Sequence, residues 1–193
     1  MITEAMLKNI PKVELHDHLD GGLRPETIIE LAKEQKIDDL PTTNPVELAE
    51  WFHRGANRKN LGLYLEGFDT SVAVMQTRDA LYRIAYEALE DLAKENVVYA
   101  EVRFAPIQHV EGGLNLEAVV EAVLSGLEKG KEEFGVVYGL ILCAMRHQDS
   151  DVSLEIAELA VGFRDRGVVG FDIAGDEFGH PPKRHLDAFQ YIR

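Results

Sequence analysis

Along the chain, short apolar runs alternate with longer stretches whose apolar residues recur at helical spacing. Residues 12–19 read as a strand ending in polar groups, and Pro25 opens a helix over about 25–35, since proline suits a first helical turn. The segment 45–95 reads as mostly helical. Asn44-Pro45 starts one stretch, Leu61–Met75 carries another, and Leu81, Ile84, Ala85, Ala88, Leu89 and Leu92 mark an apolar face within Thr77–Glu95. Strands are predicted at 97–104, 136–145 and 168–174. Helices are predicted over about 115–134 and 151–166, and a last helical segment runs from Pro181-Pro182 to Arg193.

Strand alternating with helix predicts a parallel sheet, and nearly continuous apolar strands fit burial on both faces. Periodicity alone leaves a closed barrel and an open doubly wound sheet both possible. No Gly-x-Gly-x-x-Gly follows a strand, so the dinucleotide signature is absent. Polar residues gather at the carboxyl ends of the strands: His16, His18 and Asp20; Arg103; Arg146 and His147; Gly175, Asp176 and Glu177. A (β/α)8 barrel keeps its active site at that end, and the expected fold is α/β of this TIM type. Only about the first four strand–helix units are present, with a helical insertion after strand 1, and 1–193 reads as the N-terminal part of one barrel domain.

Composition narrows the function classes. Of 193 residues, 46% are hydrophobic and 28% charged, and the net charge is −14. Such acidity repels phosphate backbones, so no polymeric nucleic acid partner is expected. No apolar run approaches the roughly 20 residues of a bilayer span, and Met1–Ala5 carries no secretory pattern. A cytoplasmic protein with no membrane partner is the expectation. The single cysteine, Cys143, lies in an apolar run and reads as a reduced thiol used as a small hydrophobe.

The chemistry concentrates in Val13-Glu14-Leu15-His16-Asp17-His18-Leu19-Asp20-Gly21-Gly22. Alternation along a strand points His16, His18 and Asp20 one way and Leu15 and Leu19 the other. Two imidazoles two residues apart can reach one metal ion, and neutral imidazole suits zinc, but two ligands leave a site incomplete. A bare His-x-His pair is common. Here it ends the first strand, an acid follows at the next inward position, and Gly-Gly lets the chain turn away. Lys12 and Glu14 share the inward parity and read as packing partners at the far end of the barrel.

This run resembles the first-strand signature of adenosine deaminases in the metal-dependent amidohydrolase superfamily. The resemblance extends to Arg24-Pro25-Glu26-Thr27, Arg83-Ile84-Ala85-Tyr86-Glu87, Val97–Arg103, Met145-Arg146-His147-Gln148 and Asp172-Ile173-Ala174-Gly175-Asp176-Glu177. It implies that His16 and His18 bind one Zn2+ per active site. It implies that Asp20 accepts the ribose 5′-hydroxyl, that His18 also lies close to the nucleoside, and that the Gly175 amide contacts the purine. Leu61, Tyr64, Leu65 and Phe68 fall where the family has an apolar lid, although such spacing also suits plain core. Arg103, Arg146, Asp172, Asp176 and Glu177 would orient the site from behind, with a structural Glu101–Arg103 ion pair as the alternative.

The implied activity is hydrolysis of adenosine or 2′-deoxyadenosine to the inosine nucleoside and ammonia, as in purine salvage. The His-x-Glu and Pro-Cys-x-x-Cys motifs of cytidine-type deaminases are absent. The family's third histidine ligand, its Glu general acid, a further catalytic histidine and an aspartate ligand belong to later strands, so they are expected beyond Arg193. His180 and His185, around Pro181-Pro182, do not substitute for them. The expectation is therefore a partial sequence or incomplete product that deaminates adenosine negligibly alone. The competing readings are a metal- or purine-binding half-barrel that self-associates, and a deaminase of a related aminopurine; the oligomeric state stays open.

Overall fold

Strand β1 (Lys12–His18) begins where the Lys12 amide donates to the Asn96 carbonyl at 2.9 Å. The Lys12 ammonium caps the same corner, donating to the carbonyls of Lys8 at 3.3 Å, Ile10 at 3.4 Å and Glu95 at 2.5 Å. This is the structural use expected of an inward lysine at the end away from the histidines. A computed structural model describes residues 2–57 and 61–193, with the side chains of Ala5 and of 61–63 left out. A short helix, α1 (Glu4–Asn9), precedes β1, and the Thr3 hydroxyl accepts from the Met6 amide at its start.

After β1 the chain makes a 3-10 turn, Leu19–Gly21, and then four helices before the next strand: α2 (Pro25–Gln35), α3 (Pro45–Ala56), α4 (Leu61–Val74) and α5 (Arg78–Lys94). Asn44 starts α3 by accepting from the amides of Val46 and Glu47 at 3.0 and 3.3 Å, with Pro45 at the first helical position. Strand β2 (Val97–Phe104), α6 (Leu116–Phe134), β3 (Val137–Met145), α7 (Ser150–Gly162) and β4 (Val168–Ala174) follow. A 3-10 turn, Pro182–His185, leads into α8 (Leu186–Ile192).

The four strands are parallel and lie in the order β1-β2-β3-β4, each beside the one before it. On the helix-facing side Ala100, Val102, Phe104, Leu140, Leu142 and Ala144 are buried, and α5 and α6 close over them with Leu81, Ile84, Leu89, Val119, Val123 and Leu127. On the other side Tyr99, Glu101, Ile141 and Asp172 stay partly exposed. The fold is a parallel α/β sheet of four strands, consistent with part of a barrel, with the helical insertion where the sequence predicted it. Among the described residues no helix is long and apolar enough to cross a membrane.

One local expectation is corrected. Regular alternation does not hold through β1: the register with β2 shifts between Glu14 and Asp17, and His16 takes the left-handed conformation at φ 64°. The strand ends at His18, and Asp20 sits in the 3-10 turn. Asp20 thus comes within 3.7 Å of His18 from the turn that follows the strand, not from the strand itself.

Candidate functional site

The bulge at His16 brings its ring beside that of His18, with centroids 5.5 Å apart and planes tilted by 52°. The two imidazoles share a site although strict alternation fails. His18 is the more enclosed, and its pKa falls to about 4, first because burial disfavours the cation and then because Arg103 and His16 stand close. It is held as neutral imidazole, the form that donates a lone pair to a metal.

Behind the pair lies Arg103, only 3% exposed on β2. One guanidinium nitrogen is 3.0 Å from both ring nitrogens of His18, and the other terminal nitrogen donates to the Cys143 sulfur. Its Nε lies 3.2 Å from Asp172 Oδ2, an ion pair by proximity, since the N–H is not aimed at the oxygen. Asp172 in turn approaches His16 Nε2 at 3.6 Å. Three neighbouring strands thus contribute Arg103, Cys143 and Asp172 to one cluster under the histidines. The expected alternative, a Glu101–Arg103 pair, is not what forms: Glu101 accepts from the Tyr99 hydroxyl at 2.9 Å. Burial raises the Cys143 thiol to about 12, so it is neutral, as expected of an inert cysteine. Its place against a guanidinium could have been suspected from parity, since Cys143 shares a strand face with Ile141 and Met145.

Asp20 is buried at 4% exposure, and its Oδ1 lies 3.7 Å from His18 Nδ1 with no hydrogen-bond partner among the described residues. Burial lifts its pKa to about 6, and Arg103 opposes the rise. The carboxylate therefore offers an unsatisfied buried acceptor next to the imidazoles.

Phe68 reaches the site from α4, its ring 5.8 Å from His18, and the Tyr64 ring lies 5.5 Å from Phe68. A Cβ on Gly21 would meet Phe68 at 3.3 Å, so the turn and the helix are in contact. Beside them Trp51, Phe52, Tyr64 and Phe68 line a cavity of about 270 Å3. Leu65 is half-buried on the same helix, and the side chain of Leu61 lies outside the described residues.

The remaining expectations concern the ends of β3 and β4. Gly175 follows β4 at φ 99°, a conformation that L side chains rarely adopt. Arg146 lies 3.3 Å from Glu177, so these two pair with each other, and Asp176 accepts from the Phe178 amide at 3.0 Å within its own turn. Sequence reasoning missed Ser153, whose hydroxyl lies 2.7 Å from His185 Nδ1. Among the described residues no group of three or more His, Cys, Asp or Glu is arranged to hold a metal.

The sequence model of the Adenosine deaminase family matches residues 11–193. An adenosine deaminase of Mycobacterium sp. (strain KMS) is 55% identical over 201 residues, spanning 100% of this chain and 55% of the relative. An amidohydrolase from Burkholderia ambifaria with bound zinc superimposes with a TM-score of 0.83 at 29% identity, over 99% of this chain and 52% of that one. An Arabidopsis N6-mAMP deaminase gives 0.82 at 29% identity, over 97% and 57%. The chain spans about half the length of the relatives it matches.

Proposed function

This chain belongs to the adenosine deaminase family, and on that basis we propose that it supplies the first half of a zinc-dependent site that hydrolyses adenosine and 2′-deoxyadenosine to inosine nucleosides and ammonia. Homologues of this family are hydrolases. The observation that carries the nucleoside reading is Asp20: a buried carboxylate beside His18 whose Oδ1 lacks a donor. A ribose 5′-hydroxyl satisfies that oxygen, whereas a 5′-phosphate would set negative charge against it.

The histidines fit a metal in part. Two imidazoles with centroids 5.5 Å apart, His18 neutral, are donors of the type zinc takes, and they make half of its usual four. When bound, zinc supplies the acidity that makes water a nucleophile near neutral pH. The chain's own residues do the rest of this half of the work. Arg103 fixes the His18 ring, Asp20 anchors the ribose, Phe68 and Tyr64 exclude water, and the Gly175 amide faces the base, where a missing Cβ lets a flat ring approach. The ligands and proton-transfer groups of the later strands complete the reaction.

The test is a chimera in which residues 11–193 replace the matching half of the Mycobacterium relative. Conversion of adenosine to inosine, lost on His16→Ala and weakened in KM by Asp20→Ala, supports the reading. A folded, zinc-loaded chimera that deaminates AMP in preference to adenosine would overturn the nucleoside assignment.

A further inference from the structure

One buried histidine that the site does not use is His185, 1% exposed at the end of the 3-10 turn before α8. Both of its ring nitrogens are engaged. Nε2 lies 3.2 Å from the Arg146 carbonyl, and Nδ1 lies 2.7 Å from the hydroxyl of Ser153, itself fully buried in α7. A carbonyl only accepts, so the Nε2 carries the proton. In the neutral ring Nδ1 is then the acceptor, taking the Ser153 hydroxyl proton in a hydrogen bond. A serine inside a helix commonly turns its hydroxyl back to its own helix; here it is spent on fixing one tautomer of an imidazole.

The carbonyl so held belongs to the residue that joins the ends of β3 and β4. The Arg146 amide donates to the Ala174 carbonyl at 2.8 Å, and Ala174 directly precedes Gly175. The Arg146 guanidinium lies 3.3 Å from Glu177, two residues past Gly175. A Cβ placed on Gly175 would find Met145 Cε at 3.4 Å, His147 Nδ1 at 3.6 Å and the Arg146 amide nitrogen at 3.7 Å. Residues 145–147 are thus the neighbours of the glycine, and their backbone is anchored through Arg146. A residue needed only to fill the space under α8 would not require two directional bonds, and leucine would serve there.

We propose that His185 is a positioning residue: with Ser153 it sets the Arg146 backbone, and through it the left-handed Gly175 turn that faces the purine. The purine part rests on the function proposed above; the coupling of His185 to the turn does not. The relay acts through ground-state geometry, so its effect falls on binding of the base.

The test uses the 15N-labelled chimera of residues 11–193 with the later half of the Mycobacterium relative, and in it the variants Ser153→Ala, His185→Leu and His185→Gln, with Ala188→Gly as a variant that weakens α8, the helix after His185, without altering the relay. Three quantities are read: the His185 ring-nitrogen shifts, amide exchange at Arg146 with the Gly175 resonance, and affinity for inosine. The parent shows the Nε2–H tautomer. Ser153→Ala and His185→Leu speed Arg146 exchange by about tenfold or more and move the Gly175 resonance, beyond what Ala188→Gly does at equal loss of melting temperature. His185→Gln, which keeps an N–H for the carbonyl, restores part of the protection. If inosine binds, the first two variants weaken it by a similar factor. If the parent binds no inosine but the amides respond, the purine reading fails and the positioning role stands. If Arg146 and Gly175 respond no more than they do to Ala188→Gly, the proposal is overturned, and Ser153→Ala decides this even if His185→Leu does not fold.

Discussion

Arg103 sets one guanidinium nitrogen 3.0 Å from both ring nitrogens of His18, so a cation from β2 lies against the imidazole that ends β1. The same guanidinium answers Asp172 on β4 and Cys143 on β3. Removing it strands a carboxylate and a thiol in a site built around positive charge. Arg103→Met is expected to cost about 2 kcal/mol, because the His18 ring and the partly exposed Asp172 carboxylate lose a charged partner. Urea denaturation checks this; a cost near that of a surface substitution would mean the cluster is not cohesive.

Zinc retention should depend on both histidines. In the chimera, His16→Ala and His18→Ala are each expected to lower bound zinc from about one ion per chain to nearly none after dialysis. Emission spectroscopy on gel-filtered protein measures it. Unchanged zinc in either variant removes that residue from the ligand set.

Acid should weaken the fold through His109. Its ring is fully buried, lies 5.5 Å from that of Phe104, and has its pKa lowered to about 4 by burial. The unfolded chain takes up the proton near pH 6.5, the folded chain only near 4, so the contribution is complete above 6.5 and is lost as pH falls between those values. Its full size is on the order of 3 kcal/mol. Stability measured from pH 7 to 4.5 should fall less steeply in His109→Leu than in the parent; parallel curves would exclude His109 as a source of the loss.

Helix α6 touches α5 at Gly126. A Cβ there would lie 2.2 Å from the Tyr82 carbonyl oxygen and 2.9 Å from Ala85 Cβ. Gly126→Ala should therefore destabilise by about 3 kcal/mol, since neither backbone can give way cheaply. Gly55 in α3 has nothing within 4 Å of its would-be Cβ, and Gly55→Ala is expected to stabilise by about 0.5 kcal/mol. Thermal melts with opposite shifts would bear out the contrast.

The elements that the pattern predicted well are those whose cause is local. Val97–Phe104 and Val168–Ala174 begin and end where their apolar runs do, and Pro25 and Asn44-Pro45 start helices because ring geometry and an amide cap act within a few residues. The neighbourhood of His16 and His18 was legible, yet for a partly wrong reason: alternation has no means of foreseeing a left-handed bulge. Short α1 went unread, being six residues with little apolar repetition. Arg103 with Cys143, and Ser153 with His185, are separated by 40 and 32 positions. Such pairs are set by strand neighbours and helix docking, which a single sequence does not display.

The sequential strand order also carries a kinetic consequence. Each strand finds its partner already synthesised, so the sheet can grow in the direction of translation. The intervening chain differs greatly, however: residues 19–96 separate β1 from β2, whereas residues 146–167 separate β3 from β4. Closing the longer span costs about 1 kcal/mol more in chain entropy, which favours a folding nucleus among β2, β3 and β4. Leu19→Ala, buried just past β1, should then chiefly speed unfolding, while Leu142→Ala in β3 should slow folding, as stopped-flow kinetics would measure. The strand with the two histidines would be the last to commit, and the first to come loose.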